Sequence, residues 1–370
     1  MSVVASKPPA LTPCGSAPHR AVLGILAIAL GRPAYDGLIA DLRNSIPEQI
    51  AAIANQSYGQ TILASGLRTL PALQSAIPDD LVIYFTEMQR ANGERNTQAI
   101  TQLAEIAAIL AQHGIPILAL KGAADVLQPL HDIPAHRYIS DLDILIPENQ
   151  ITHAARLLRE AKGLPVADRD ILPGAHHHLA QIIAPDWLFT VELHIQPGSS
   201  AVQSVLNGAK MLRHATPSGI PGLMIPTLED RFLHHILHNM ELRHDTAALH
   251  LRALADHLRY RAALHAEDTD RAFSRLDAVG FGAWQTDLTD LAQALNGSPA
   301  QPGTWTWRAL SGFGTPDAAR SKDTLFWMKR YARRFAQSGP YRRQLIGKLF
   351  SPQAWAEFIQ FHRDRRNRFK

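Results

Sequence analysis

The stretch HRYISDLDILI, residues 136 to 146, carries two aspartates one residue apart inside an otherwise apolar strand pattern. Side chains alternate along a strand, so Asp141, Asp143 and Leu145 share one side while Leu142, Ile144 and Ile146 share the other. The two aspartate Cα atoms then lie roughly 6 to 7 Å apart, close enough for both carboxylates to reach one cation or to bracket two. Two negative charges left unpaired on a half-buried strand repel and cost desolvation energy, so a positive group belongs between them. A divalent metal meets that need. Pairing with Lys121 or Arg137, or exposure to water, meets it as well, and the two aspartates alone do not choose.

The same alternation in TVELHI puts Glu192 and His194 on one side and Val191, Leu193 and Ile195 on the other. A third carboxylate thus lies on a strand expected to neighbour DLDILI. Upstream, IPILAL runs into Lys121-Gly122 and a helix start, where backbone N–H groups and a cationic side chain can hold phosphate oxygens. In this order the pieces form a phosphate-gripping turn followed by three carboxylates, which is what metal-assisted phosphoryl or nucleotidyl transfer requires. His194, on the face of Glu192, is either a group that orients a metal ligand, an acid–base group on the acceptor side, or a satisfied core histidine.

These residues need a scaffold, and 370 residues with 46% hydrophobic content can bury more than one sizeable core. The single cysteine, Cys14, excludes a disulfide framework and a cysteine-based zinc cluster, and it suits a reducing cytoplasm. The apolar run AVLGILAIAL, residues 21 to 30, is too short to span a bilayer and reads as a core helix.

The sequence divides into four stretches. Residues 1–18, rich in Pro, Ser and Ala, are expected to be disordered, and residues 19–112 follow a helical period that ends at Gly114 after NTQAITQLAEIAAILAQHG. Residues 113–225 switch to a mixed pattern: a strand at 115–120, KGAADVLQPL as a loop entering a helix, and a strand at 140–147 closed by Pro147. A helix follows with Ile151, Ala154, Leu157 and Leu158 on one face, and then a hairpin, HHLAQIIAPD and WLFTVELHIQP, turning at Pro185-Asp186. Residues 226–370 return to helix. The fold class is therefore α+β, a small mixed sheet flanked in sequence by helical N- and C-terminal segments.

Charge is unevenly placed. Residues 329–370 hold twelve Lys or Arg against Glu357 and Asp364, a net of +10, so the overall +4 leaves −6 for the remainder. Such a block is either a solvated tail or a surface for an anionic partner such as nucleic acid, a phosphorylated substrate or a membrane. The mixed aromatic and basic run FWMKRYARRFAQ lies within or beside it.

The run LALKG, the Arg137 upstream of DLDILI, and VELH resemble the uncharacterised bacterial nucleotidyltransferase family, a branch of the polymerase-beta-like nucleotidyltransferase superfamily. The similarity runs from about residue 90 to about residue 258 and includes FLHHILHNMELRHDTAALHLRALADH, where His238, Arg252 and Asp256 match family positions. Two departures stand out: Lys121-Gly122 replaces the superfamily's Gly-Ser pair, and the third carboxylate is Glu192 rather than Asp. The resemblance implies a nucleotidyltransferase core in which Asp141, Asp143 and Glu192 hold Mg²⁺ or Mn²⁺. It also implies catalytic roles for these carboxylates and His194, with Lys121, Gly122 and Arg137 at the nucleoside triphosphate. The acceptor stays open among a protein, a modified peptide, a sugar, a small metabolite and RNA. The alternative is a silent relative that binds a peptide or nucleic acid.

Two other readings fall away. His234 and His238 stand at zinc-ligand spacing on a helix, but a zincin needs Glu where this sequence has His235. Glycosidase carboxylates face each other across a cleft rather than standing two residues apart on one strand. The run His176, His177, His178 is either a surface loop, an edge strand or a rim of the site.

Overall fold

The computed structural model describes residues 15–165, 177–242 and 251–294. The expectations for residues 1–14, His176 and the basic end from Lys329 onward lie outside the described residues. Helix α1 (Ala17–Ala29) begins inside the stretch read as disordered and buries Ala21 through Ile28, the apolar run expected to form a core helix. No helix among the described residues is long and apolar enough to cross a membrane.

Short helices follow: α2 (Leu38–Arg43), α3 (Pro47–Gln56), α4 (Gln60–Thr69) and α5 (Pro71–Gln74). They lead into α6 (Asp79–Ala111), 33 residues long and so about 50 Å from end to end. Its buried positions recur at three- and four-residue spacing, and in its middle they are polar: Gln89, Asn92, Asn96 and Gln102. These amides act as clamps on neighbouring backbone. Asn92 and Asn96 Nδ2 both donate to the Arg137 carbonyl, each at 2.9 Å. Gln102 exchanges two hydrogen bonds with the backbone of Phe189, at 2.8 and 3.1 Å. One helix therefore fixes both segments that lead into the carboxylate-bearing strands. Gly114 then takes φ +65°, a left-handed conformation that costs a glycine nothing and ends the helix.

The sheet comprises β1 (Ile117–Ala119), β2 (Asp141–Leu145), β3 (Thr190–His194), β4 (Thr216–Pro217) and β5 (Leu223–Ile225), in the spatial order β3-β2-β1-β5-β4. It is mixed: β1 is antiparallel to β2 and parallel to β5, while β2 and β3 are parallel. Between β1 and β2 lies α7 (Lys121–Leu127), and between β2 and β3 lies α8 (Ile151–Ala161). Where the sequence suggested a loop entering a helix, α7 starts at Lys121 itself, directly off the strand.

The expected hairpin turns where anticipated, with Trp187 N donating to Ala184 O at 3.1 Å around Pro185-Asp186. Its outer arm, however, meets β3 only through isolated antiparallel bridges, His178 to His194 and Ile182 to Val191. The strands β4 and β5 and the helices α9 (Ser200–Gln203) and α10 (Gly208–His214) were not read from sequence. Helices α11 (Leu228–Leu242), α12 (Leu251–Ala263), α13 (Ala266–Asp277) and α14 (Gly282–Ala294) complete the described chain.

The two faces of the sheet belong to two cores. Leu142, Ile144, Ile146, Val191 and Leu193 pack with α8 and the C-terminal half of α6. Leu118, Leu120 and Leu145, on the opposite face, join a cluster that runs from α1 through α4 to α11, α12 and α14. The N- and C-terminal helical segments thus share one apolar core over the face that carries the carboxylates.

Candidate active site

Parallel pairing of β2 with β3 sets Asp143 opposite Glu192, and Leu145 opposite His194. His194 is fully buried, and its Nε2 lies 2.8 Å from Asp143 Oδ1 and 3.6 Å from Glu192 Oε2. Lys121 Nζ donates to the same Asp143 oxygen at 2.7 Å. Gln181 Nε2 donates to Glu192 Oε1 at 2.6 Å. The positive group that strand alternation demanded beside Asp143 is therefore Lys121, and the His194 ring shares the same carboxylate oxygen. The ligand atoms of Asp143, Glu192 and His194 all fall within 4.8 Å of one another. Asp141 stands outside that cluster, on the wall of an adjoining cavity, with Ser140 Oγ as its hydrogen-bond donor at 3.0 Å.

These contacts separate the three carboxylates electrostatically. Burial disfavours the Asp143 carboxylate, but Lys121 and His194 together hold its pKa well below the usual value. The neighbouring His194 ring, opposed by burial and aided by the Gln181 hydrogen bond, lowers Glu192 to about 2. Burial and then the charge of Asp143 push Asp141 the other way, upward. Burial opposes the charge of His194, but its hydrogen bond to Asp143 and the nearby Glu192 carboxylate outweigh that and raise its pKa.

The cavity measures about 150 Å³ and is lined by Lys121 and Gly122 at the start of α7, Asp141 and Asp143 on β2, and side chains from α11 and α12. Lys121 takes φ +46°, a left-handed conformation that costs a non-glycine residue on the order of 1 kcal/mol or more and recurs at functional sites. Gly122 lies so close to the segment before β2 that a Cβ would come within 2.5 Å of Ile139 Cγ2. That contact explains a glycine at this position.

A buried ion network forms part of the cavity wall. Asp125 accepts from Arg137 Nε at 2.8 Å, Arg231 Nη2 at 2.9 Å and the Tyr260 hydroxyl at 2.8 Å. Asp256 pairs with His131 Nε2 at 2.8 Å and lies 3.4 Å from Arg137 Nη1. Arg137, expected at the nucleotide, does line the cavity, yet two carboxylates of the fold hold it. Asp125 and Arg231 escaped the sequence reading. A lone acid in KGAADVL and a lone base ahead of FLHHIL were the available signals, and each resembles an ordinary surface charge.

Five of the seven singled-out residues, Lys121, Gly122, Arg137, Asp141 and Asp143, line one cavity, while Glu192 and His194 stand behind Asp143. The rings of His177 and His178 lie 5.7 and 5.2 Å from that of His194, on the arm that returns along β3 rather than on the cavity wall. On α11, burial lowers His234 to about 3, keeping it neutral. His234 and His238 join no metal-ligand cluster among the described residues.

A small mixed sheet bearing paired carboxylates on one strand, a third on its neighbour and a lysine at the preceding strand–helix junction has the parts of an enzyme that transfers nucleotidyl groups. The chain belongs to the family described as uncharacterised nucleotidyltransferase, whose model matches residues 45–296. The match begins well before the resemblance seen in the motifs and takes in the helices from α3 onward. Nucleotidyl transfer is accordingly its class of activity. No curated protein and no solved structure matches the chain.

Proposed function

We propose that the protein moves a nucleotidyl group from a nucleoside triphosphate to an acceptor hydroxyl or phosphate at the Asp141, Asp143 and Glu192 cluster, with Mg²⁺ or Mn²⁺ as cofactor. The observation that carries this reading is the register of Asp143 with Glu192 beside a cavity lined by the Asp141 carboxylate, which makes no ion pair among the described residues. The donor set fits a hard divalent cation, which favours carboxylate oxygens. When bound, such a cation supplies positive charge to the phosphate oxygens and to the entering and leaving oxygens.

The side chains divide the remaining work. Glu192, ionised down to a pH near 2, keeps its charge throughout the physiological range. His194 holds Asp143 and Glu192 in their places from behind. Lys121 brings a point charge to the phosphates, and Gly122 lets the backbone approach them closely. Arg137, fixed by Asp125 and Asp256, holds the wall before β2 in place. A cytoplasmic location belongs to the same reading.

The test is incubation of the protein with each α-labelled nucleoside triphosphate, Mg²⁺ and a cell extract. Label should appear on an acceptor with wild-type protein and be absent with Asp141→Asn. Wild-type protein that neither transfers label nor binds any Mg-nucleotide would overturn the proposal.

A further inference from the structure

The charges around the cavity pair off with two left over. Lys121 is matched to Asp143 at 2.7 Å, and Arg137 and Arg231 share Asp125 and Asp256 at 2.8 to 3.4 Å. Among the described charged groups that line the cavity, the carboxylate in no ion pair is Asp141 and the guanidinium in none is Arg252.

Arg252, on α12, is half-buried in the cavity wall. Its Nη1 reaches the Tyr138 carbonyl at 3.3 Å, the same oxygen that Arg137 Nη1 reaches at 3.0 Å. Two guanidiniums thus converge on one acceptor, and of the two only Arg137 makes an ion pair among the described residues. The Arg252 Nε is buried without an acceptor. Its guanidinium lies 5.3 Å from the centroid of the Tyr58 ring, a contact that supports a cation but supplies no counter-charge. Burial first and the charge of Arg137 next pull its pKa down to about 10. A desolvated cation is costly without an anion, and a guanidinium presents a planar fork of donors suited to phosphate.

Position makes the anion specific. Tyr138, which Arg252 touches, is three residues before Asp141 on the segment entering β2. His238 lines the same cavity as Lys121, Asp141, Asp143 and Arg252, so a single wall runs from the carboxylates to the guanidinium. The two unmatched groups, a carboxylate and a guanidinium, are complementary to a ligand carrying a metal at one end and a free phosphate at the other.

We propose that Arg252 receives the terminal phosphate of the nucleoside triphosphate, the part of the substrate lying beyond the carboxylate pair. This assignment rests on the transferase reading given above.

The experiment is a binding titration of the full chain with Mg²⁺ and the tri-, di- and monophosphates of all four ribonucleosides. Arg252→Gln should weaken triphosphate binding by about 10- to 100-fold, the loss of one or two charge-assisted hydrogen bonds, and leave monophosphate binding unchanged. Thermal melting should match or exceed that of wild type, because the substitution removes a half-buried charge that makes no ion pair among the described residues. Should Arg252→Gln fail to melt cooperatively, Arg252→Lys retains the charge without the planar fork and must show the same triphosphate-against-monophosphate split at smaller size. Equal losses for tri- and monophosphate, or an unchanged triphosphate affinity, overturn the assignment. An unchanged triphosphate affinity with a raised KM for the acceptor does so too, by moving the anion to the acceptor. Failure of wild-type protein to bind any nucleotide is a different result, since it removes the transferase reading itself.

Discussion

Lys121 Nζ stands 2.7 Å from Asp143 Oδ1, so a side chain expected at the phosphates instead neutralises a carboxylate that a metal would also need. The two roles compete for one charge. Removing it should therefore move metal and nucleotide affinity in opposite directions.

Lys121→Ala should bind Mg²⁺ or Mn²⁺ more tightly without nucleotide and raise the nucleotide KM on the order of tenfold, about one charge-assisted hydrogen bond. Lys121→Arg should raise KM less, because charge is retained with different geometry. Calorimetric metal titration and steady-state kinetics give the two numbers. Parallel changes in both would show that Lys121 does not move between the carboxylate and the phosphate.

Asp141→Asn should abolish transfer and, with metal chelated, leave the protein at least as thermally stable as wild type. Burial and the charge of Asp143 raise the Asp141 pKa in the fold. For a carboxylate raised in this way, the ionised form opposes folding at neutral pH, and the penalty fades as pH falls through the raised value. A neutral isostere removes that penalty. A marked drop in melting temperature in EDTA would mean that Asp141 has a stabilising partner instead.

Glu192→Gln should lower kcat by about 10² to 10⁴, the usual range for deleting a group that acts in the chemical step. Nucleotide affinity should change little, because Asp141 and Asp143 still face the cavity. Kinetics indistinguishable from wild type would make VELH a purely structural strand.

Acid stability should depend on His194. Its ring, 3.6 Å from Glu192, is the first cause that lowers Glu192 to about 2 from an ordinary 4.5, and its hydrogen bond also lowers Asp143. A carboxylate depressed in the fold contributes stability that is present above its ordinary pKa and is lost as pH falls through the depressed one. His194→Gln should therefore begin to lose structure at a higher pH, within the window between 4.5 and 2. Superimposable acid transitions by circular dichroism would remove this coupling.

Gly122→Ala should cost about 1 to 3 kcal/mol of stability, a typical penalty for overpacking, because the new methyl would meet Ile139 Cγ2 at 2.5 Å. Denaturant unfolding measures it. A neutral result would show that Ile139 yields and that packing does not require a glycine at this position.

Strand alternation is a property of the local backbone, and it sufficed to put Asp141 with Asp143 and Glu192 with His194. The helical period of α6 was equally legible, and so was the switch to a mixed pattern after Gly114. Strands β4 and β5, with two and three residues, are too short to display any period. The sequence also could not say which cation meets which acid, because that depends on how distant segments cross. Lys121 reaches Asp143 across 22 residues, and Tyr260 reaches Asp125 across 135. Only the folded helices decided that Arg137 is held by Asp125 and Asp256, and that Arg252, matched to a family position but given no role, faces the cavity without a carboxylate. Charge pairing follows distance in space, which residue type and spacing along the chain do not encode.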